Sequence, residues 1–435
     1  MYTILVRAKK DADAVKAMLK VFYSNWDISV KTLRGVRSLD MFYEKLLENI
    51  DRDRFNVILV GREDADKIKL ESSLPLNVCF SLVPKEKIRN ARLPTIRDAF
   101  ERGRAKFRNT VYWKDAYIFS RSKGVKLKLD PLPAYDNFMI FGEKGVKMLS
   151  KFLGKLKGTI LLVRKLGGEH EVYSGPDLIG KLKIPDFGEV SGDVIKRQEV
   201  SVHIDDVIRA NRHVLKLFEK ISLNILTSLK DKYDTVIVPW SGGRDSTAAL
   251  ILASKVFKKN FYAIYVDMEL EFTPIRKYLE EVSKILGIKP LITRVALGEE
   301  VRKKGFPQHK DRWCTRLKIS ALHDKIEEVA EGKTLIVAGD RDAESALRSK
   351  RSPVRPDGEY MQVAPIKNWS ASQTQIYILQ NNVPLNPLYG YGFYRLGCWV
   401  CPSLRSWERL IMKTYRSDIL KDVDQELLSL FLNSD

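Results

Sequence analysis

Two glycines at the end of a β-branched apolar run mark the stretch best suited to chemistry. Residues 235–239 lead through Trp240 into Ser241-Gly242-Gly243-Arg244-Asp245-Ser246-Thr247, and an apolar helix-like segment follows. The pattern predicts a buried strand, a tight turn and a helix. Glycines let backbone N–H groups approach a ligand, and a helix N-terminus attracts anions. We therefore expect phosphate, pyrophosphate or sulfate here; the alternative is a turn whose glycines serve geometry alone.

Cysteines form the second candidate centre. The four are Cys79, Cys314, Cys398 and Cys401. Cys79 sits inside an apolar run, which is typical of a buried structural thiol. The Cys398-x-x-Cys401 pair together with Cys314 indicates a metal site or redox chemistry in a chain of this size.

Alternating strand and helix patterns position these residues. After the glycine turn, strand-like runs at 261–267, 290–295 and 334–338 alternate with helical patterns at 275–286 and 319–329. This alternation predicts a parallel sheet covered by helices, with its ligand site at the carboxyl ends of the strands. The glycine turn, Asp267 and residues 339–341 all fall at such ends. We assign residues 201–435 to this domain.

The first 115 residues are predicted to form a small α/β domain. Its strands are expected at 2–6, 28–32, 55–60 and 78–82, and its helices at 12–22, 39–50 and 64–70. A basic segment at 85–128 carries fourteen Lys or Arg residues against four Asp or Glu, interleaved with six aromatic residues. This mixture fits phosphate contacts with base stacking, or equally a solvated helix whose aromatics face a core.

Residues 116–200 contain short strand-like runs broken by glycine and proline. They predict a β-rich domain, which suggests an RNA-binding, barrel-like module without any motif that fixes it. Residues 185–192 are rich in turn-forming types and are the candidate linker to the third domain.

The composition describes a cytoplasmic globular protein with anionic partners. Hydrophobic residues make up 44% of the 435 residues and charged residues 30%. The net charge of +20 favours a polyanion or anionic substrates. No apolar run approaches the roughly 18 residues that span a membrane, and residues 1–7 do not have a signal-peptide pattern.

Five blocks in order resemble the phosphoadenosine phosphosulfate (PAPS) reductase family, a branch of the PP-loop ATP pyrophosphatase superfamily, as an archaeal-type multidomain member. They cover roughly residues 204–410. The blocks are Ser241-Gly242-Gly243-Arg244-Asp245-Ser246; Val266-Asp267-Met268-Glu269; Arg312-Trp313-Cys314 through Lys318; Gly339-Asp340-Arg341 through Ser345 with Arg348; and Pro365-Ile366 through Asn386-Pro387-Leu388-Tyr389 to Cys398. The resemblance implies a PP-loop (adenine nucleotide alpha hydrolase-like) sheet that binds an adenine nucleotide.

The same resemblance assigns roles to single residues. Asp267 would accept a hydrogen bond from adenine or ribose, or hold a metal, and Asp245 would hold Mg²⁺ or take part in catalysis. The cationic side chains of Lys318, Arg341 and Arg348 would face the anion, although each of them alone could instead form a surface salt bridge. The expected nucleotide- and phosphate-binding residues are Ser241, Gly242, Gly243, Arg244, Asp245, Ser246, Asp267, Lys318, Gly339, Arg341 and Arg348.

Two departures from the reductases favour ATP as the substrate. Members that reduce sulfonucleotides resemble one another in a C-terminal Glu-Cys-Gly-x-His tail, whereas residues 428–435 here contain no cysteine. The loop is also a full SGGxDS, as in relatives that split ATP between its α and β phosphates and adenylate a substrate.

Relatives with an iron–sulfur cluster carry a double cysteine and a later Cys-x-x-Cys. Here Cys314, Cys398 and Cys401 stand at those places, so three thiolates replace four. A [4Fe–4S] cluster with one open iron is the first expectation, and zinc with His309 as fourth ligand is the second. Unliganded thiols are the third.

The predicted function is an ATP-using, adenylating sulfur transferase that acts on a nucleic acid, above all tRNA. The candidate catalytic residues are Asp245, Cys314, Cys398 and Cys401. The expected cofactors are ATP and Mg²⁺. The sequence does not identify the sulfur donor or the oligomeric state. A PAPS or APS reductase-type enzyme is the alternative. A non-catalytic RNA- or nucleotide-binding protein is the second alternative, which the intact loop disfavours.

Overall fold

A computed structural model describes residues 1–433; of the C-terminal segment 428–435 discussed above, Ser434 and Asp435 lie outside it. The chain builds four sheets in sequence order. Among the described helices, none is both long and apolar enough to cross a membrane. The domain boundaries near 115 and 200 stay predictions, and the sheets are described one by one.

The first sheet is parallel, with strand order β2-β1-β3-β4. Its four strands lie where the sequence predicts them, and the predicted helices are confirmed, the third as a 3₁₀ helix. Both central strands are buried along their whole length, as expected for a sheet covered on both faces, and their sequences are apolar except at Thr3 and Asn56. The elements are β1 Tyr2–Val6, α1 Lys9–Phe22, β2 Ile28–Thr32, α2 Leu39–Asn49, β3 Phe55–Val60, a 3₁₀ helix Arg62–Ser73, β4 Val78–Leu82, a 3₁₀ turn Ile88–Asn90 and α3 Leu93–Asn109.

The middle of the chain is rich in strands, as predicted, but its main sheet is open. Five antiparallel strands run in the order β12-β11-β10-β9-β8, so the described sheet has two separate edges and does not close into the barrel suggested by the sequence. The elements are β5 Tyr112–Trp113, β6 Tyr117–Ile118, β7 Val125–Lys126 (a small sheet of their own), β8 Asp136–Ile140, α4 Glu143–Leu153, β9 Ile160–Arg164, β10 Glu169–Ser174, β11 Asp177–Lys183 and β12 Ser191–Val194.

The third region has the predicted α/β architecture. Its six-stranded sheet has the order β15-β14-β13-β16-β18-β17, parallel except for β17. The first strand, β13, lies between β14 and β16, so the chain leaves it in both directions; ligands bind at such switch points. The strands are β13 Thr235–Pro239, β14 Tyr262–Asp267, β15 Leu291–Arg294, β16 Thr334–Val337, β17 Val354–Asp357 and β18 Tyr360–Val363.

Helices between the strands cover this sheet. The predicted helices after β13, β14 and β15 are present, and the last of them begins at Trp313, six residues earlier than expected. The helices are α5 Ile204–Ala210, α6 Arg212–Thr227, α7 Arg244–Phe257, α8 Pro274–Leu286, α9 Leu297–Lys304, α10 Trp313–Val329, α11 Ala346–Lys350, α12 Ala371–Gln380, α13 Pro387–Gly390, α14 Ser406–Thr414, α15 Arg416–Ile419 and α16 Gln425–Leu432.

Much of the basic, aromatic segment 85–128 belongs to the core. Arg104 and Arg108 of α3 are fully buried, as are Phe100 and Tyr117. The Arg104 guanidinium pairs with Asp342 of the third region. Base stacking by these aromatics is therefore excluded, because their rings are covered by protein. Only the exposed basic residues of the segment remain available to a partner.

Buried polar contacts join the three regions. The Gln373 side chain of α12 donates to the carbonyl oxygens of Phe107 and Phe119, each at 3.1 Å. Gln375, two residues on, exchanges two hydrogen bonds with the backbone of Met139 in β8. Unpaired backbone groups are costly when buried, so these amides stabilise the junction.

The buried His170 side chain in β10 makes the stability of the protein depend on pH. Burial lowers the pKa of His170 to about 3, whereas an unfolded histidine titrates near 6.5. The unfolded state thus binds more protons between these pH values, so the stabilisation is complete above pH 6.5 and is lost as the pH falls. We expect the free energy of unfolding to drop by about 1.4 kcal/mol per pH unit below 6.5 from this residue.

Urea denaturation of the wild type and of His170→Gln between pH 7 and 5 measures this dependence. The variant should show a shallower decline than the wild type. His203→Gln, which changes an exposed histidine, is the matched control and should retain the wild-type slope. Equal slopes for the wild type and His170→Gln would contradict the expectation.

Candidate functional site

The loop between β13 and α7 has the geometry predicted for it. Gly242 has a φ of +71°, a left-handed conformation that favours glycine. Gly243 is the residue at the N-terminal boundary of α7. The Ser246 hydroxyl accepts from the Ser241 backbone N–H at 3.2 Å and donates to the Gly243 carbonyl at 3.0 Å. These bonds close the loop into a fixed ring.

Four backbone donors in this ring face no protein acceptor. Within residues 1–433, the N–H groups of Gly242, Gly243, Asp245 and Ser246 have no hydrogen-bond partner. The first N–H groups of a helix always lack an intrahelical partner. Their number, together with the hydroxyl of Ser241 on the same ring, makes the loop a site for an oxyanion.

A short C-terminal segment holds the ring from outside. The phenol oxygen of Tyr389 accepts from the N–H of Arg244 at 2.9 Å, and the Asn386 amide donates to the Gly242 carbonyl at 3.2 Å. Burial raises the pKa of Tyr389 to about 12, so the phenol stays neutral. The Asn386-Pro387-Leu388-Tyr389 block, which the sequence singled out only by resemblance, therefore has a structural role beside the loop.

Gly339 lets the end of β16 touch the first turn of α7. A Cβ atom at this position would lie 2.5 Å from the carbonyl carbon and oxygen of Asp245 and 2.7 Å from the nitrogen of Ser246. These are backbone atoms that cannot rotate away. Gly339 was predicted as a nucleotide-binding residue, and the structure gives it a packing role directly behind the loop.

The Arg341 side chain lies behind the loop, not in it. It is fully buried; its Nε donates to Asp245 Oδ1 at 2.8 Å and its Nη1 to Asp136 Oδ2 at 2.9 Å. Further bonds go to Asp245 Oδ2 at 3.4 Å and the Trp369 carbonyl at 3.3 Å. The predicted phosphate contact is therefore replaced by a positioning contact, because the guanidinium fork is already occupied by two carboxylates.

Asp136 is a member of the site that sequence reasoning missed. It comes from β8, outside the third region, and is fully buried. Its carboxylate accepts from Arg341, from the Tyr394 hydroxyl at 2.8 Å and from the Ala371 N–H at 3.0 Å. Burial alone would raise the pKa of Asp136, but the guanidinium groups of Arg341, Arg164 and Arg244 together outweigh burial and hold the pKa below its usual value. A carboxylate opening an apolar strand was the available sequence signal.

Arg244 adds a second buried cation beside the loop. Its Cζ lies 5.3 Å from the ring centre of Tyr389 and 4.8 Å from that of Tyr394. Its Nε is 3.5 Å from Asp245 Oδ1, which is attractive but too long for a good hydrogen bond. Burial lowers the pKa of Arg244, but the Asp245 carboxylate together with Tyr389 and Tyr394 raises this pKa above its usual value. The charge therefore persists next to the anion ring.

Asp267, at the end of β14, is buried and partly engaged. Its Oδ1 accepts from the Glu269 N–H at 2.9 Å and its Oδ2 from Arg276 at 3.0 Å. A cavity of about 410 Å³ opens beside it, lined by acidic and basic side chains that include Glu269, Arg276 and Arg302, and by Trp399 next to the cysteine pair. This cavity lies between the loop that follows β14 and Trp399, the neighbour of Cys398 in the chain.

Arg348 and Lys318 are placed differently. Arg348 is half-exposed on α11 and pairs with Glu344 and with Asp340 at 3.3 Å, as in the salt-bridge alternative. Lys318 of α10 lies near the buried Glu271, whose pKa is raised by burial and lowered in part by this ammonium group. Lys318 therefore faces the cysteine side of the site.

The three predicted cysteine ligands converge without forming a metal site. Burial raises the pKa of both Cys314 and Cys398, and each thiol lies close enough to Cys401 for that sulfur to raise its pKa further. The Cys401 N–H donates to the Cys398 carbonyl at 3.0 Å. Across the described residues, no group of three or more His, Cys, Asp or Glu side chains is arranged to hold a metal ion. His309 is exposed and makes no described hydrogen bond.

The donor set as placed therefore does not fit a cluster or zinc, and no step below is routed through either. Cys79, by contrast, is buried and donates to the Gly103 carbonyl at 3.2 Å, which confirms a structural thiol. The cysteine turn itself abuts the sheet edge, since the N–H of Trp399 donates to the Leu270 carbonyl at 3.1 Å.

Residues 235–404 match the family described as phosphoadenosine phosphosulfate reductase domain. An uncharacterised protein of Methanocaldococcus jannaschii is 32% identical over 210 residues, which are 47% of this chain and 44% of that protein. The chain thus spans less than half the length of this relative.

Two relatives carry activity names. Sulfate adenylyltransferase subunit 2 of Rhodopseudomonas palustris is 25% identical over 247 residues, covering 50% of this chain and 71% of that protein. Adenosine 5'-phosphosulfate reductase of Oceanobacillus iheyensis is 27% identical over 188 residues, covering 41% of this chain and 76% of that protein.

Proposed function

Since residues 235–404 form a domain of the PAPS reductase family, we propose that the protein is an ATP-using enzyme that adenylates an acceptor and transfers sulfur to it. The observation that carries this proposal is the ring of four unpartnered N–H groups at Gly242, Gly243, Asp245 and Ser246. Such a ring suits the phosphate chain of a nucleotide, because it offers four backbone donors to the phosphate oxygens.

The chemistry starts with an acceptor oxygen. This oxygen attacks the α-phosphorus of ATP, the bond to the β-phosphate oxygen breaks, and pyrophosphate leaves with the negative charge that the ring stabilises. A sulfur nucleophile then adds to the activated carbon and AMP departs with the acceptor oxygen. Mg²⁺ would supply charge neutralisation on the phosphates; Asp245, which is one-fifth exposed, retains free lone pairs for it.

The chain's own residues prepare these steps. Arg341 fixes the Asp245 carboxylate, and Arg244 provides a permanent positive charge beside the leaving pyrophosphate. Cys314, Cys398 and Cys401 are the candidates to present the sulfur. Burial keeps the Cys398 thiol protonated at neutral pH, so a sulfur attached to it would require a proton acceptor, and Lys318 and Glu271 are its charged neighbours.

A nucleic acid, with tRNA as the first choice, is the proposed acceptor. The net charge of +20 supports a polyanionic partner. The sulfonucleotide enzymes are the second candidate, supported by the relative named adenosine 5'-phosphosulfate reductase. That function would require sulfite release from an adenylyl sulfate with a thiol reductant.

The test is incubation of the full chain with ATP, Mg²⁺, inorganic sulfide and bulk tRNA, measuring pyrophosphate and AMP. We expect tRNA-dependent release of both. Ser246→Ala removes the hydroxyl that closes the ring and should reduce the rate by about tenfold, on the scale of one hydrogen bond. Ser254→Ala is the matched control; its hydroxyl donates to the Ile251 carbonyl on the same helix, and its rate should stay at the wild-type value.

Release of sulfite from an adenylyl sulfate, with no pyrophosphate from ATP, would instead establish the reductase. Tight ATP binding without turnover in every condition would contradict both enzymes.

A further inference from the structure

A cavity of about 570 Å³ lies on the N-terminal half of the molecule, away from the anion ring. It is bounded by the 3₁₀ helix Arg62–Ser73, the end of α3 and the small sheet of β5, β6 and β7. Five basic side chains line it, against the single carboxylate of Glu71. They are Lys69, Lys106, Arg121, Lys123 and Lys126.

The one carboxylate is already engaged. Glu71 Oε2 accepts from the Phe80 N–H at 3.0 Å and from Lys106 Nζ at 3.4 Å. Lys69, Arg121, Lys123 and Lys126 make no ion pair with any of residues 1–433. Five positive charges therefore converge on one space against a single carboxylate, and a bound anion would relieve their mutual repulsion.

Arg121 is held rigidly in this wall. Its Nη2 donates to the carbonyl oxygens of Leu74 at 3.1 Å and Pro75 at 2.6 Å. Its Nη1 is buried and has no hydrogen-bond partner. A buried donor left unpaired is costly, so this nitrogen is poised for an acceptor from outside the chain. The hydroxyls of Ser72, Thr110 and Ser122 also line the cavity.

The cavity is separate from the nucleotide loop. On α3, Arg104 and Arg108 face Asp342 of the third region, whereas Lys106 and Thr110 line the cavity. Residues two apart on a helix point in nearly opposite directions. Changes at the cavity therefore lie across α3 from the buried contacts that support the ATP site.

We propose that this cavity binds the phosphodiester backbone of a single-stranded segment of RNA and so holds the acceptor on the enzyme. The proposal rests on the nucleic-acid acceptor of the proposed function and adds where it docks. Rigid guanidinium and lysine ammonium groups give phosphate contacts without reading base sequence. The hydroxyl donors and acceptors on the wall suit the ribose 2′-OH, which distinguishes RNA from DNA.

Fluorescence anisotropy with a labelled single-stranded RNA tests the site, using the full chain at several salt concentrations. The cavity triple variant is Lys69→Gln/Lys123→Gln/Lys126→Gln. The control triple is Lys147→Gln/Lys155→Gln/Lys157→Gln, which removes the same charge from exposed lysines elsewhere. We expect the cavity triple to lose at least tenfold in affinity and to reduce the slope of log K against log salt by about 2, the share of three phosphate contacts.

ATP affinity is measured on the same samples and should stay within twofold of wild type in both triples. Equal loss of RNA affinity in the two triples would overturn the cavity assignment, since only overall charge would then matter. Tighter binding of a DNA of the same sequence, or saturation by inorganic phosphate with no RNA binding, would also overturn it. Wild-type protein that binds ATP but no RNA would remove the nucleic-acid acceptor while leaving ATP chemistry standing.

Discussion

Replacing Arg341 with methionine is expected to lower the free energy of unfolding by about 3–5 kcal/mol, the usual cost of removing one member of a buried ion pair. The substitution leaves Asp136 buried without its cation and releases Asp245 from its fork. Methionine fills similar volume, so the loss reports charge and not a cavity. Because Asp245 lies in the anion ring, ATP affinity should fall as well.

Urea denaturation measures the stability and calorimetric titration the ATP affinity. Arg348→Met is the matched control, because it removes a guanidinium from a half-exposed pair with Glu344 and Asp340; exposed pairs contribute about 1 kcal/mol or less. Asp136→Asn completes the comparison, since it keeps an acceptor for Arg341 while removing the charge. Equal losses for Arg341→Met and Arg348→Met would contradict the positioning role.

Replacing Gly339 with alanine should abolish most ATP binding while the fold persists. The new Cβ would meet backbone atoms of Asp245 and Ser246 at 2.5–2.7 Å, so the first turn of α7 must move away from β16. Overpacking of this kind costs about 1–3 kcal/mol. Displacing the ring donors breaks several phosphate contacts at once, and we expect at least a hundredfold loss of ATP affinity in titration.

Gly390→Ala is the control for this prediction, because a Cβ at Gly390 would meet nothing within 4 Å. It should retain wild-type ATP affinity. A circular dichroism spectrum like that of the wild type separates local displacement from unfolding in the Gly339 variant. Unchanged ATP affinity in Gly339→Ala would show that the close approach of β16 and α7 is not needed for the ring.

The anion ring could be predicted because its signals are local. An apolar run, two glycines and three hydroxyl residues lie within thirteen consecutive positions, and backbone geometry follows from residue type there. The strands of the first sheet were predictable for the same reason. Its two central strands, β1 and β3, are buried on both faces, and their sequences are mainly apolar runs.

The partners of Arg341 could not be predicted in this way. Asp136 lies 205 positions earlier, in a different sheet, and only the packing of β8 against α12 brings the two together. A single sequence contains no statement of that packing. The sequence therefore predicted Arg341 as a free cation at a strand end, whereas its charge is balanced inside the protein by Asp136 and Asp245.

The basic segment 85–128 misled for a related reason. Charge counts describe side chains as though all were solvated, yet Arg104 and Arg108 are spaced one helical turn apart on the face that also carries Phe100. That face is a buried interface with arginines built into it. The exposed lysines farther along the segment, such as Lys123 and Lys126, remain accessible to a partner, as predicted.

The Asp136 contact shows that the structural unit around the glycine loop begins before the matched region. The family match starts at residue 235, yet the carboxylate that balances Arg341 belongs to β8. A fragment cut to the matched region would carry every recognisable motif and would still leave the buried charge of Arg341 without its Asp136 partner behind the glycine loop. The segment that the family match identifies is thus shorter than the segment needed to balance its buried charge. A shortened protein that keeps the glycine loop intact would have to include β8 and the sheet to which it belongs.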